Sequence, residues 1–256
     1  MSENRYDVLE HGRGEPLVML HGMMGSPENW KPLFPYLPTG CRALALRFPF
    51  FEEGVSLPDV EAVEKYLLGF LDAWGLQRAA LCGNSLGGHV AVGLAARAPQ
   101  RVRGLVLTGS GGLFERSFAR VSSHPPREWV RQRISEIFFD PRHVTEKLVD
   151  DVIRIISVRR NARDLLSIAK SAKRDNIADR LPHVLCPVLL VWGRQDTVTP
   201  PEAAEELLHG LPHREIVWLE ECGHAPMIEH PRLFGEALRR WWGLHMDGHP
   251  AEGRTP

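Results

Sequence analysis

The pentapeptide Gly-Asn-Ser-Leu-Gly at residues 83–87 constrains the fold of this chain more than any other segment. An apolar run at residues 79–82 precedes it, and a run of small residues with helical composition, residues 89–96, follows it. A sharp turn between a strand and a helix needs small residues two positions either side of its centre, because larger side chains would collide there. The pattern predicts a strand, a strained turn that exposes the Ser85 hydroxyl, and a helix. A serine in a glycine-rich segment is more often part of an ordinary turn, so this prediction depends on partners elsewhere in the chain.

A serine hydroxyl is a weak nucleophile near neutral pH and needs a base and an orienting acid. Asp196 follows the apolar, strand-like run at residues 187–192, and His224 follows a second strand-like run at residues 215–219. Taken singly, such an Asp is more often in a turn and a lone His is more often structural. Three polar residues after three separate strands can, however, meet at one edge of a parallel sheet, and the chain order Ser, Asp, His fits a hydrolytic triad. We therefore predict Ser85 as nucleophile, His224 as base and Asp196 as the orienting acid.

A His-Gly-Met-Met segment, residues 21–24, directly follows a strand-like run at residues 16–20. Acyl transfer passes through a tetrahedral oxyanion that needs two preorganised N–H donors. The sequence predicts an oxyanion hole made by the amide of Leu86, the residue after the nucleophile, and the amide of Met23, with Met24 the less favoured alternative. His21 is predicted to be structural and to fix this loop by hydrogen bonds.

Together these motifs resemble the α/β-hydrolase fold superfamily, and in particular serine hydrolases with a helical cap. The motifs are His-Gly at 21–22, the glycine-flanked serine at 83–88, Trp-Gly-Arg-Gln-Asp at 192–196 and the segment from Gly223 to Pro231. As a set they are specific for the fold and the triad and weakly specific for the substrate. One segment departs from the family: relatives often carry an acidic, glycine-rich loop where residues 47–53 read Arg-Phe-Pro-Phe-Phe-Glu-Glu. The resemblance implies a pocket that is more aromatic on this side.

Some relatives keep the triad acid after the strand that corresponds here to residues 102–108. The segment that follows that strand is Gly-Ser-Gly-Gly and contains no acid, so Asp196 has no obvious rival. Ser110 of this segment, together with Met24 and Asn84, is predicted to contact the substrate.

The alternation of strand-like and helical runs predicts the α/β class, with a mostly parallel central sheet flanked by helices. Residues 1–113 and 181–245 are assigned to this core. The alternation stops in residues 114–180, where three helical patterns, 127–139, 144–158 and 161–172, occur without a clear strand. The resemblance implies that this insertion is an all-helical cap over the active site. The tail, residues 246–256, is predicted to be disordered.

The composition is that of one large, soluble domain of 256 residues with a net charge of −1, which argues against general nucleic-acid binding. No signal-peptide pattern opens the chain, and the four cysteines are far apart. We therefore expect buried, reduced thiols in a cytoplasmic protein that needs no membrane. No metal site and no cofactor are predicted.

Residues 115–180 hold 15 Lys and Arg against 10 Asp and Glu. This charge could attract anionic substrates, although solvated helix faces explain it more simply.

The resemblance implies hydrolysis of a small-molecule ester or related acyl substrate through an acyl-enzyme. A first alternative is hydrolysis of a carbon–carbon bond in a ring-fission dienone. The Gly-Asn-Ser sequence resembles those enzymes, but they usually carry Trp after the catalytic His, where this chain has Ala225. A second alternative is a ligand receptor in which the same triad hydrolyses slowly or only binds.

Overall fold

Residues 6–113 and 125–246 are described by a computed structural model. Their seven strands form one sheet in the order β1-β3-β2-β4-β5-β6-β7, with every neighbouring pair parallel except β1 and β3. The strands are β1 Val8–Gly12, β2 Glu15–Leu20, β3 Cys41–Leu46, β4 Ala79–Asn84, β5 Val102–Thr108, β6 Val188–Gly193 and β7 Arg214–Leu219. The predicted fold class is thereby confirmed, and β1 is a strand that the sequence pattern did not reveal.

The central strands are almost wholly buried because helices cover both faces of the sheet. Successive side chains of each strand enter different cores. On β2, Val18 and Leu20 join the core on one face, and Leu17 and Met19 join the core on the other. This burial on both sides explains why the strands read as continuous apolar runs and not as alternating ones.

Eight α-helices accompany the sheet in the described residues. They are α1 Val60–Ala73, α2 Leu86–Arg97, α3 Arg127–Ser135, α4 Glu146–Ser157, α5 Arg159–Arg174, α6 Pro201–Gly210, α7 Pro226–Glu229 and α8 Pro231–His245. Helices α1, α2 and α6 pack on one face of the sheet, and α8 packs on the other together with the 3-10 segment Pro27–Tyr36. The helices expected from the sequence are present, whereas α7 and this 3-10 segment were not anticipated.

Helices α3, α4 and α5 lie between β5 and β6, and no strand occurs among the described residues of this insertion. Their apolar faces pack on one another in a small core of their own, which contains Val130, Ile134, Val149 and Ile156. Helix α3 ends at Ser135, earlier than the apolar pattern suggested, because the following residues run along a loop of the main domain. Residues 114–124 of the predicted cap lie outside the described residues.

Met246 shows that the predicted disordered tail begins too early. Its side chain is buried, and its N–H donates to the Trp242 carbonyl at the end of α8. The rest of that tail, residues 247–256, lies outside the described residues. Within the described part of the chain, no helix is both long and apolar enough to cross a membrane.

The insertion is attached to the main domain on the side of the aromatic loop at residues 47–53. Arg160 donates to the carbonyls of Phe51, at 2.6 Å, and Glu52, at 3.1 Å. Ser171 on α5 accepts the N–H of Val60 at the start of α1. Arg160, one of the 15 basic residues of the insertion, is therefore engaged with backbone carbonyls of the main domain.

Candidate active site

Ser85 lies in a strained turn between β4 and α2. Its φ of 55° and ψ of −119° lie in a region that residues with side chains rarely adopt. The flanking glycines make the turn possible: a Cβ on Gly83 would lie 2.5 Å from the Gly87 carbonyl oxygen, and one on Gly87 would overlap the Leu20 carbonyl. Among residues 79–95, all of which are described, Ser85 alone is not buried. The turn therefore presents one hydroxyl at the carboxyl edge of the sheet.

Asp196 and His224 form a buried pair at the same edge. Asp196 Oδ2 lies 2.9 Å from His224 Nδ1, and the two residues are 3% and 6% exposed. The other Asp196 oxygen accepts the backbone N–H groups of Val198 and Thr199, and the Thr199 hydroxyl donates to Oδ2. A carboxylate held in this way keeps the proton on His224 Nδ1 and leaves Nε2 available as a base.

Asn84 connects the serine turn with the loop of His224. Its Nδ2 donates to the His224 carbonyl at 3.0 Å and to the Thr108 carbonyl at 3.1 Å. The N–H of Ser85 donates to the same Thr108 carbonyl. Gly109 lies against the imidazole, since a Cβ there would be 2.6 Å from Nδ1. The sequence-predicted nucleophile, base and acid thus belong to adjoining loops.

No hydrogen bond joins Ser85 Oγ and His224 within the described residues. Catalytic hydrogen bonds are often long in a free enzyme and shorten when substrate binds. The structure therefore shows the contact between His224 and Asp196. The contact between Ser85 and His224 stays a prediction.

The loop after β2 lies beside the serine. A Cβ on Gly22 would be 3.1 Å from Ser85 Cβ, and the N–H of Gly25 donates to the Gly22 carbonyl to close a tight turn around Met23 and Met24. Leu86 N–H is at the first position of α2, where a helix amide has no partner within the helix. This arrangement suits the predicted oxyanion hole of Met23 and Leu86 amides.

His21 fixes this loop, as the sequence suggested. Its Nδ1 lies 2.7 Å from the Gly22 carbonyl, and its Nε2 accepts the Phe48 N–H at 3.0 Å. Burial lowers the pKa of His21 to about 4, so the ring is neutral near pH 7. Phe48 and Phe50 contact the ring edge-on at centroid distances of 5.2 and 6.1 Å. The unusual aromatic segment therefore supports the loop after β2.

The three residues predicted to contact substrate have different surroundings. Met24 is 38% exposed and free to contact a ligand. Asn84 commits its amide nitrogen to two backbone carbonyls, and Ser110 donates to the Gly111 carbonyl and packs against Gly88. The roles of Asn84 and Ser110 seen here are structural, and contact of all three with substrate stays a prediction.

Sequence reasoning overlooked two residues that support the pair. The Thr199 hydroxyl donates to Asp196 Oδ2, and its oxygen lies 3.1 Å from His224 Nδ1. Glu229 accepts the N–H of Gly223 at 2.8 Å. An Asp followed three residues later by Thr, as here, is typical of a turn in which the Asp side chain accepts the N–H groups of the residues that follow it. Nothing in the sequence indicates that the Glu229 side chain bonds the backbone of Gly223. No group of three His, Cys, Asp or Glu residues suited to a metal ion occurs within residues 6–113 and 125–246.

A sequence model of the alpha/beta hydrolase family matches residues 17–237. The chain belongs to the alpha/beta hydrolase family. The chain is also similar in structure to a solved alpha/beta hydrolase enzyme from the metagenome of sediments of the Mar Chica lagoon, Morocco. That structure has a TM-score of 0.77 and 34% identity, and the match covers 94% of this chain and 95% of the other.

Two relatives of this alpha/beta hydrolase match most of its length. A 2-hydroxy-6-oxo-6-phenylhexa-2,4-dienoate hydrolase of Comamonas testosteroni is 29% identical over 84% of this chain and 83% of its own. A 2-hydroxy-6-oxononadienedioate/2-hydroxy-6-oxononatrienedioate hydrolase of Paraburkholderia phymatum is 28% identical over 94% of this chain and 92% of its own. Both relatives are hydrolases, and the present chain is a hydrolase of the same family.

Proposed function

We propose that this alpha/beta hydrolase cleaves a carbon–carbon bond next to a ketone in a 2-hydroxy-6-oxodienoate, through an acyl-enzyme on Ser85. The observation that supports the proposal is that both of the relatives described above are named as hydrolases of such compounds. Hydrolases of such dienoates match 84–94% of this chain, so the similarity extends over both the main domain and the insertion. This reverses the order of the two hydrolytic functions expected from the motifs alone.

Cleavage of a carbon–carbon bond makes specific demands on the active site. A carbon–carbon bond breaks heterolytically only if the departing carbon can delocalise the electron pair. In a 2-hydroxy-6-oxodienoate this becomes possible when the 2-hydroxyl loses its proton, C5 gains one and a 2-ketone results. Ser85 Oγ then adds to the C6 carbonyl as His224 Nε2 takes the serine proton. The C5–C6 bond breaks, its electron pair passes into the conjugated ketone, and His224 returns the proton to the leaving fragment.

Water completes the cycle. His224 takes a proton from water as the oxygen adds to the acyl carbon, and the carboxylic acid leaves as Ser85 recovers its proton. The amides of Met23 and Leu86 stabilise the oxyanion in both halves of the cycle. The Asp196 carboxylate holds the imidazole in the tautomer that both steps need.

Ester hydrolysis is the second candidate, and Ala225 favours it. The dienoate hydrolases that the motifs resemble usually carry Trp at this place, after the catalytic His. Ala225 is buried and offers no aromatic surface to a conjugated substrate. The same serine, base and oxyanion donors serve ester cleavage without the ketonisation step, because an alkoxide is a better leaving group than a carbanion.

The two functions are separated by substrate preference. We expect kcat/KM for 2-hydroxy-6-oxo-6-phenylhexa-2,4-dienoate, followed by loss of its visible absorbance, to exceed that for p-nitrophenyl butyrate by roughly ten-fold or more. Faster turnover of the ester, with the dienoate left unchanged, would reject the first candidate and support the second. Slow hydrolysis of both, with tight retention of one of them, would favour a receptor.

Ser85→Ala tests the nucleophile for either substrate. We expect kcat to fall by about 10⁶-fold, because no other hydroxyl replaces the attacking one. Circular dichroism and the melting temperature should match those of the wild type. Retained turnover in this variant would mean that the acyl group is not carried by Ser85.

A further inference from the structure

The carboxylate of Glu229, at the end of α7, joins two segments that are far apart in the sequence. Oε1 accepts the N–H of Gly223, the residue before His224, at 2.8 Å. Oε2 accepts the N–H groups of Phe139 at 2.7 Å and Asp140 at 3.2 Å. Phe139 and Asp140 belong to the crossing segment, residues 136–140, which is the first part of the connection between α3 and α4 of the insertion. One side chain therefore ties the insertion to the loop of the proposed base.

The crossing segment also bonds His224 and the residue next to Asp196. The N–H of His224 itself donates to the Ile137 carbonyl at 2.7 Å. The hydroxyl of Thr197, next to Asp196, donates to the Glu136 carbonyl at 2.9 Å. A Cβ on Gly223 would lie 2.6 Å from the Ile137 oxygen, so the two backbones are packed directly on each other. A shift of this segment would therefore move the backbone of His224.

A carboxylate suits this position because all its partners are donors. Three backbone N–H groups point at the two oxygens, and an ionised carboxylate only accepts hydrogen bonds. Such charge-assisted bonds are shorter and stronger than those between neutral groups. An amide side chain of the same shape would turn an NH₂ group toward one of the two backbone segments and lose its bonds there.

We propose that Glu229 is a positioning residue, which holds the crossing segment against the His224 loop and so makes the orientation of the imidazole toward Ser85 depend on the docked insertion. The inference rests on the proposed function of the Ser85, His224 and Asp196 side chains. Glu229 itself contacts backbone amides and no reacting atom. Its effect passes through Gly223 and Ile137 to the backbone of His224.

The test is Glu229→Gln, with Glu220→Gln as its matched control. Glu220 lies nine residues earlier on the same connection, and its exposed carboxylate pairs with Arg194 at 3.4 Å. We expect kcat of the Glu229→Gln enzyme to fall by about ten-fold to 10²-fold, the cost of a small misplacement of a catalytic group, with little change in KM. The control should keep the kcat of the wild type.

A readout that needs no substrate separates positioning from simple stabilisation. We expect the proton on His224 Nδ1, in its hydrogen bond to Asp196, to give a far-downfield NMR resonance. This resonance should shift or broaden in the Glu229→Gln enzyme and stay unchanged in the control. Glu229→Asp, which keeps the charge but is too short to reach both segments, should change the resonance and kcat in the same direction and covers the case of a Gln variant that folds poorly.

Two results would overturn the inference. One is a lower melting temperature of the Glu229 variants with unchanged kcat and an unchanged resonance, which would make the carboxylate a structural tie only. The other is an equal effect in Glu220→Gln. Failure of the proposed function is seen separately, as turnover that survives Ser85→Ala, and would leave the NMR result on Glu229 standing.

Discussion

Two close histidine–carboxylate pairs lie near the Ser85 turn, one of them buried and the other partly buried. His224 Nδ1 is 2.9 Å from Asp196 Oδ2, and His89 Nε2 is 3.0 Å from Asp175 Oδ2. The pairs consist of the same groups at nearly the same distance. Their surroundings differ, and the difference shows that such a pair is not in itself a mark of catalysis.

The charges around the two carboxylates are distinct. In the described residues Asp196 accepts hydrogen bonds only from neutral amide and hydroxyl groups besides the imidazole. Asp175 instead forms an ion pair with Arg180, and hydrogen bonds from His89 and then from Arg180 hold the pKa of Asp175 well below its usual range. A carboxylate that already balances a guanidinium has less to offer an imidazolium that forms during a reaction.

The positions of the two imidazoles differ as well. His224 follows a strand at the carboxyl edge of the sheet, on the loop that Asn84 ties to the serine turn. His89 lies in α2, fully buried, with its ring against Gly112. One pair therefore lies on the loops next to the serine turn, and the other lies where a core helix packs against the insertion.

Asp196→Asn should have the largest effect. We expect kcat to fall by roughly 10⁴-fold, because an asparagine at this place favours the wrong tautomer of His224. The melting temperature should change little compared with this loss. A variant within a few-fold of the wild type, measured on the preferred substrate, would show that another group orients the base.

Asp175→Asn should lower stability and spare the chemistry. Removing the charge that faces Arg180 and His89 should cost about 2–3 kcal/mol in the free energy of unfolding, measured with urea, since hydrogen bonds to charged groups are lost. We expect kcat to stay within a few-fold of the wild type. A loss of kcat comparable to that of Asp196→Asn would mean that the second pair also takes part in the reaction.

Glu64→Gln should have the smallest effect, which is a change in how the free energy of unfolding depends on pH. Glu64 is buried beside the Asp175 pair, 3.3 Å from Arg97 and 3.9 Å from Arg180, and burial raises its pKa to about 7. A folded-state pKa above the unfolded value of about 4.5 gives stability that is complete below pH 4.5 and lost as the pH rises through 7. The wild type should therefore lose stability from Glu64 across this window.

The glutamine variant has no such proton to lose. Its free energy of unfolding should fall less between pH 4.5 and 7, by on the order of 2 kcal/mol. Glu61→Gln, an exposed position one turn away on α1, is the matched control and should retain the slope of the wild type. Identical slopes in all three proteins would show that Glu64 is ionised throughout.

The sequence predicted the pair of Asp196 and His224 but not the pair of His89 and Asp175, and the reason is physical. The motifs around Asp196 and His224 are local, since each residue directly follows an apolar strand whose end the pattern reveals. His89 and Asp175 are 86 positions apart and lie in or beside helices, so no pattern connects them. Glu229 lies within the motif at residues 223–231, yet its partners on the crossing segment are 89 and 90 positions away in the sequence. The edge strand β1 was missed because its short run is partly exposed and polar, and only pairing with β3 makes it a strand.

The sequence by itself determined the alternation of strands and helices, the strained serine turn and the identity of the predicted nucleophile, base and acid. These features depend on hydrophobic period and on residues a few positions apart. Tertiary structure alone decided that His89 and Asp175 form a second pair, how the aromatic loop supports His21 and where the insertion is tied. Those contacts join segments many tens of residues apart, and their geometry follows from how the sheet and helices pack rather than from any local run of residues.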